Sequence, residues 1–312
     1  MTEVRESPPA IAVTDEQMVL GEGVRWDARR GELLRLDILE GRVFRDRVAA
    51  DGSLVPVRDY RLPTTVGAIA PITGDDGWVL AAGRGVTHLR PDGSHRVVVE
   101  LVGEGTRMND ATCDPQGRLW AGAMAEDHAP GGGSLFRVEG DGRFEQMLDG
   151  LTIPNGAGWS PDGRTMYFID SGPKTVHAFD FDGTSGTISN QRVLIRIPDD
   201  LGGPDGMTVD AAGHLWIAVY GAAQVRRHAP DGSLVAVYPV PATQTTCCAF
   251  AGERLDRLYV TTATEFWTDE QRRASPGDGL VYRVDAVTGV TGRPASPFVP
   301  DRHWWSDIVR AR

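Results

Sequence analysis

Cys113-Asp114-Pro115-Gln116-Gly117-Arg118-Leu119-Trp120 and Val209-Asp210-Ala211-Ala212-Gly213-His214-Leu215-Trp216 are two copies of one phrase. Each ends an apolar run, makes a polar turn that closes on glycine, and opens the next run with Leu-Trp; this is the grammar of a strand, a tight turn and a second strand. Trp26-Asp27-Ala28-Arg29-Arg30-Gly31-Glu32-Leu33-Leu34 and Ser160-Pro161-Asp162-Gly163-Arg164-Thr165-Met166-Tyr167 repeat it. Two weaker copies follow the same outline: Thr73-Gly74-Asp75-Asp76-Gly77-Trp78 keeps the glycine, and Ala251 to Tyr259 carries Asp256 in its place. Anchored at positions 31, 77, 117, 163, 213 and 256, the copies lie 46, 40, 46, 50 and 43 residues apart. That interval holds four short strands and their turns, the length of one propeller blade. The sequence therefore predicts an all-β chain, a six-bladed β-propeller in which residues 1–312 form a single domain. The stretch Ala10 to Leu20 is left to serve as a strand or clasp closing the last blade.

Composition agrees with this reading. Glycine supplies 38 of 312 residues, and helical periodicity is nearly absent. A formal charge of −11, with no cluster of Lys and Arg to offset it, repels phosphate backbones and anionic lipid surfaces, which argues against nucleic-acid and membrane partners. Met1 to Val13 is polar and proline-containing, without the apolar core of a leader peptide, so a soluble cytoplasmic protein is expected. Cys113, Cys247 and Cys248 have no spacing suited to a disulfide framework or zinc ribbon and read as reduced, buried thiols.

In a propeller the strand before each anchor is innermost, so equivalent positions on these strands form a ring about the axis. Eight residues before the anchor glycine stand Asn109, Asn155 and Asp205; nine before Gly31 stands Glu22. The corresponding positions of the other two blades are Ile69 and Cys248, which predicts a ring polar on one side and apolar on the other. Asn155-Gly156 and Asp205-Gly206 also read as ordinary turn pairs, but independent turns have no reason to share one repeat position. Two carboxylates and two amides converging at a narrow mouth need a counter-charge. An all-oxygen donor set favours one hard divalent ion, Ca²⁺ first, with Mg²⁺, Mn²⁺ or Zn²⁺ as options. No Gly-x-Ser-x-Gly elbow, His-Glu-x-x-His helix, Walker loop or dinucleotide fingerprint is present, which removes the main support for serine-triad, zincin and nucleotide-enzyme readings.

The segments Leu20-Gly21-Glu22-Gly23, Arg107-Met108-Asn109-Asp110, Ala121 to Glu126, Ile153-Pro154-Asn155-Gly156, Ile169-Asp170-Ser171, Pro204-Asp205-Gly206-Met207 and Thr245-Thr246-Cys247-Cys248 resemble, in order and spacing, the gluconolactonase and senescence-marker-protein (regucalcin) family. The resemblance implies a propeller with one axial metal held by Glu22, Asn155 and Asp205, with Asp205 also the catalytic base. Arg107 and Asn109 are implied as substrate-orienting groups. Asp127 stands where the family typically places a Glu in the substrate pocket.

These implications amount to a metal-dependent hydrolase, gluconolactonase-like, that opens a small, sugar-derived lactone to its hydroxy acid. The alternatives are a calcium-binding or regulatory propeller without turnover, and a hydrolase of a non-sugar lactone or a phosphotriester. Arg107, Asn109 and Asp127 exceed what metal binding alone requires, which favours an enzyme with a hydroxylated substrate. The sequence does not name an oligomeric state.

Overall fold

The computed structural model describes residues 10–301 apart from Ala286 and Thr288; Met1–Pro9, part of the polar N-terminal stretch, lies outside the described residues. The chain is all-β apart from one short helix, Asp269–Ala274, and no described helix is long and apolar enough to cross a membrane. Consecutive antiparallel sheets of four strands follow one another, the first built from Gly21–Asp27, Glu32–Asp37, Arg42–Val48 and Leu54–Arg61. The fifth and sixth sheets are joined through a single pairing of Tyr220 with Gln244. In the sixth, Gln244–Ala251, Arg257–Ala263 and Val281–Val284 are completed by Ile11–Ala12 from the other end of the chain, Ile11 opposite Arg283. The first strand of each sheet packs on the first strand of the next, and the last returns onto the first, so the six sheets close into a ring in the manner of a propeller.

The core is divided to match. An apolar layer fills each gap between neighbouring blades: Leu34, Leu36 and Val43 of the first blade against Ile69, Trp78 and Leu80 of the second, for example, or Met18, Trp26 and Phe44 against Cys247 and Tyr259 across the closing gap. Second strands are thus covered on both faces. This is why Leu119–Ala125 and Leu215–Tyr220 read as continuous apolar runs, whereas an outer strand such as Leu54–Arg61 is mostly exposed.

The repeated phrase owes its Asp and its Trp to one interaction. Asp114 Oδ1 accepts the amides of Gln116 and Arg118 at 2.9 and 3.0 Å, shaping the turn, while Oδ2 accepts Trp120 Nε1 at 3.1 Å. Asp210 repeats the pattern with Ala212, His214 and Trp216. Asp27 reaches instead across to Trp78 Nε1 of the next blade at 3.0 Å. All three carboxylates are buried, and each is satisfied several times over, as burial requires.

The turns lie at the end of the ring opposite the first residues of the inner strands, and the C-terminal segment crosses them. Thr291 O accepts the Ala211 amide, Gly292 N donates to Leu255 O, Arg293 Nη1 donates to Trp159 O, and Val299 N donates to Gly117 O. Phe298 bridges Ile72 in parallel and is fully buried between the second and third blades. Residues 291–299 therefore form a strap over that end of the axis. Phe298→Ala is expected to cost about 3–5 kcal/mol in urea unfolding, through lost burial and the cavity left behind. Val55→Ala, exposed on an outer strand, is expected to change stability by less than ~0.5 kcal/mol.

Candidate active site

Each inner strand is interrupted near its start by a β-bulge, which lifts residues out of the ladder and aims their side chains at the axis. The interruptions fall between Met108 and Ala111, Pro154 and Ala157, and Pro204 and Met207, so Asn109, Asn155 and Asp205 are the first bulged residues of the third, fourth and fifth blades. In the first blade the bulge follows Glu22. Glu22 stands one position ahead of the others.

The glycines after Asn155 and Asp205 do not make turns. Neither Gly156 nor Gly206 has a positive φ; both lie within inner strands, where the neighbouring blade leaves no room for a side chain. A Cβ on Gly156 would stand 2.6 Å from Met207 N, and one on Gly206 2.6 Å from Cys247 Sγ. Gly67, in the bulge of the second blade, would meet Asn109 O at 1.8 Å.

The two ring positions expected at Ile69 and Cys248 require correction. Both residues are ladder members, opposite Leu80 and Val260, and belong to the interblade cores. Gly67 and Thr246 occupy the bulges there instead. The displacement arises in the spacing from bulge to turn: Leu255, at φ 52° with its amide on Gly252 O, closes the sixth turn one residue before Asp256 and lies nine residues after Thr246 rather than eight. In the second blade the left-handed glycine is Gly74, not Gly77.

A cavity of about 250 Å³ opens at this end of the axis, lined among others by Glu22, Arg107, Asn109, Asn155, Asp205 and Glu265. One chain of hydrogen bonds spans three blades. Arg107 Nη1 donates to Asn109 Oδ1 at 2.8 Å, Asn109 Nδ2 to Asn155 Oδ1 at 2.8 Å, Asn155 Nδ2 to Ser171 Oγ at 2.7 Å, and Ser171 Oγ to Pro204 O at 2.6 Å. Both polar atoms of Asn109 are engaged, so it ties the guanidinium to Asn155. The approach to two of the site strands is braced by an aspartate of the adjacent strand. Asp37 accepts the amides of Val19 and Leu20 ahead of Glu22, and Asp170 those of Thr152 and Ile153 ahead of Asn155.

Glu22 and Asp205 are buried beside each other, near enough for each to act on the other's carboxyl. Burial, then the nearby charge of Asp110, pushes Glu22 up to about 8; burial, then Glu22, raises Asp205 well above the usual carboxylate range. Burial lowers Arg107, and the charges of Glu265, Glu126 and Glu22 hold it up. Among the described residues no three of His, Cys, Asp and Glu form a metal cluster. The donor set on offer is two carboxylates and an amide.

Asp127 is not part of this cavity. It is exposed in the turn after Leu119–Ala125, where its carboxylate accepts the Ala129 amide at 3.0 Å, as a short Asp in a turn commonly does. Besides Glu22 and Asp205, the acid that does line the cavity is Glu265, just after the second strand of the sixth blade, with Tyr220, His128 and Phe266 near it. Sequence reasoning missed these four, because they lie at or just beyond strand ends where the repeat no longer fixes alignment.

A ring of blades with a small polar cup on its axis, acidic on one side and carrying an arginine on the other, defines a class of small-molecule propeller sites. Residues 20–264 match the family described as SMP-30/Gluconolactonase/LRE-like region, and the chain belongs to that family. It is 35% identical over 289 residues to pentonolactonase XacC of Haloferax volcanii, covering 90% of this chain and 95% of that one, and 32% identical over 295 residues to regucalcin of Xenopus laevis, covering 92% and 97%. Among solved structures it is similar to a calcium-binding protein, regucalcin, from Agrobacterium tumefaciens, with a TM-score of 0.87, 31% identity, and coverage of 96% of this chain and 99% of that one.

If the inner strands meet as tightly as described, Gly67→Ala must push against Asn109 and is expected to destabilise by about 1–3 kcal/mol. Gly103→Ala, where nothing lies within 4 Å, is expected to stay within ~0.5 kcal/mol of the parent in the same urea titration.

Proposed function

We propose that this protein is a metal-dependent lactonase of the cytoplasm, gluconolactonase-like, that opens a small, sugar-derived lactone to its hydroxy acid. The carrying observation is the buried contact of Glu22 with Asp205 at a cavity whose opposite wall presents Arg107. Lactonase-named relatives support hydrolysis of a lactone, and a solved relative described as calcium-binding supports a divalent ion. Three free, buried cysteines suit a reducing compartment.

The donor chemistry fits such an ion. Two carboxylates that hold each other's protons on in a buried site gain a compensating charge from a dication, and Asn155 Oδ1 adds a neutral oxygen already oriented by Asn109 and Ser171. Glu22, Asn155 and Asp205 would hold it, with Ca²⁺ preferred for an all-oxygen set and Zn²⁺, Mn²⁺ or Mg²⁺ as substitutes. When bound, the ion would polarise the lactone carbonyl and offset the negative charge that develops on its oxygen.

The remaining steps belong to the chain. Asp205 takes a proton from the attacking water as the new C–O bond forms, and returns it to the ring oxygen as the lactone C–O bond breaks, leaving a hydroxy acid. Arg107 uses Nη1 to hold Asn109 and Met108 O. Its Nε and Nη2 have no partner among the described residues and can orient substrate oxygens. Asn109 acts by fixing both Arg107 and Asn155 rather than as a free hydrogen-bonding group.

Two measurements test this reading. Metal-stripped protein reloaded with one equivalent of Ca²⁺, Mn²⁺ or Zn²⁺ is expected to melt at a higher temperature, by mass action on the native state, and to hydrolyse aldonolactones in a pH-stat. No thermal shift at saturating metal would remove the metal site; binding without hydrolysis of any lactone would leave a calcium-binding propeller. Asp205→Asn is expected to lower kcat by at least ~10²-fold with weaker metal affinity. Arg107→Ala should retain metal and lose kcat/KM more on polyhydroxylated than on unsubstituted lactones. Equal metal loss in both variants would break this division of roles.

A further inference from the structure

Two groups at the cavity lack a role in the reaction just described. Tyr220 ends the second strand of the fifth blade; its hydroxyl is buried and makes no hydrogen bond of normal geometry among the described residues. Glu265, 8% exposed, lies beside that hydroxyl. Its backbone carbonyl accepts Gln244 Nε2 at 3.0 Å, which fixes the residue in place, while its carboxylate is near enough to the Tyr220 hydroxyl for the two to interact. Across the cavity, Arg107 is close enough for its charge to act on that carboxylate, and its Nε and Nη2 are uncommitted. A buried hydroxyl and a buried carboxylate are thus set beside each other and face a cationic fork across one space. Such a buried pair, held without a hydrogen bond of normal geometry, gains from a ligand or water that bridges it.

The mouth above them is narrowed by a contact between opposite sides of the ring. Phe266, next to Glu265 in the sixth blade, meets His128 of the third blade edge-on, with ring centroids 6.0 Å apart at 62°. Both residues have left-handed backbones, φ 64° and 59°, and Phe266 is 78% exposed. A bulky aromatic in that conformation is strained, and here the strain holds an apolar ring over the opening. Leu20, Ile38, Met124 and Ile153 give the cavity an apolar wall. The enclosure suits a small ring compound, with hydroxyls directed at Tyr220, Glu265 and Arg107 and a less polar face against that wall.

We propose that Tyr220 and Glu265 form a hydroxyl-recognition subsite facing Arg107 beneath the His128–Phe266 contact, supplying the acidic substrate contact that the exposed Asp127 does not. The substrate class is then a small lactone with a free hydroxyl on or next to its ring: Glu265 accepts the hydroxyl proton and Tyr220 donates to the hydroxyl oxygen. A site built to hydrogen-bond a hydroxyl discriminates strongly against analogues lacking it, because its buried groups then stay unpaired. This inference rests on the lactonase reading for its substrate but not for its test.

The test compares Glu265→Gln and the near-isosteric Tyr220→Phe with the parent, all metal-loaded, in two assays. Calorimetry with gluconolactam and with unsubstituted δ-valerolactam reads binding without turnover; kcat/KM for glucono-δ-lactone against δ-valerolactone reads selectivity. Each variant is expected to reduce the preference for the hydroxylated member of each pair by at least ~10-fold, with Mn²⁺ affinity and circular dichroism confirming an intact ring. If no lactone is hydrolysed but gluconolactam binding still depends on both residues, the lactonase reading fails and the subsite stands. The subsite is overturned if the parent does not bind gluconolactam, or if either folded variant keeps the parental preference.

Discussion

Six inner strands converge on one axis, and the space where they meet is too small for side chains that point sideways. Gly67, Gly156 and Gly206 mark that limit: each sits where an added methyl group would overlap the next blade. The bulges follow from the same crowding. A residue forced out of the ladder at the narrow end can only face the axis, so Asn109, Asn155 and Asp205 arrive at one point from three blades without any long loop to carry them. The site is rigid because it is built on strands.

That rigidity is used against an electrostatic cost. Glu22 and Asp205 would separate if they could, since two buried carboxylates disfavour each other's ionisation. They are held by the interblade cores behind them and by the aspartate braces at Asp37 and Asp170, which fix the backbone ahead of Glu22 and Asn155. The opposed carboxylates are therefore a local instability supported by the rest of the ring, as expected of a site organised for a charged ligand.

The ring was legible in the sequence because its turn phrase has chemistry that cannot drift: the Asp that shapes the turn also binds the indole of the Trp, so both recur at fixed spacing in the third and fifth blades. The axial residues were legible because they lie on the strand leading to that turn. Legibility faded where the turn changed length. In the sixth blade Leu255 closes the turn nine residues after Thr246, and in the second Gly74 follows Gly67 by seven, so a constant spacing of eight missed both. The strap ending at Phe298 has no repeat to reveal it, since a segment that crosses several blades follows the period of none. Glu265 and Tyr220 were missed for a related reason: they sit at or just past the outgoing ends of second strands, where neither strand alternation nor turn chemistry fixes a position. Asp127 shows the converse error, in which adjacency along the chain to a cavity-lining segment does not bring a side chain into the cavity.

These differences divide the molecule into parts under different constraints. At the far end the strap holds the turns, through Ala211, Leu255, Trp159 and Gly117, and covers the axis there. Substrate must then enter and product leave at the end that carries the bulges. The axial donors at that end are fixed by strand geometry and have little freedom to vary without disturbing the ring. The residues around them, His128, Tyr220, Glu265 and Phe266, lie at strand ends and in the connections beyond, where a substitution alters the cavity while leaving the ladders intact. On this division the inner strands set the kind of chemistry the site can support, and the connections set which molecule reaches it, so family membership is informative about the first and much less so about the second.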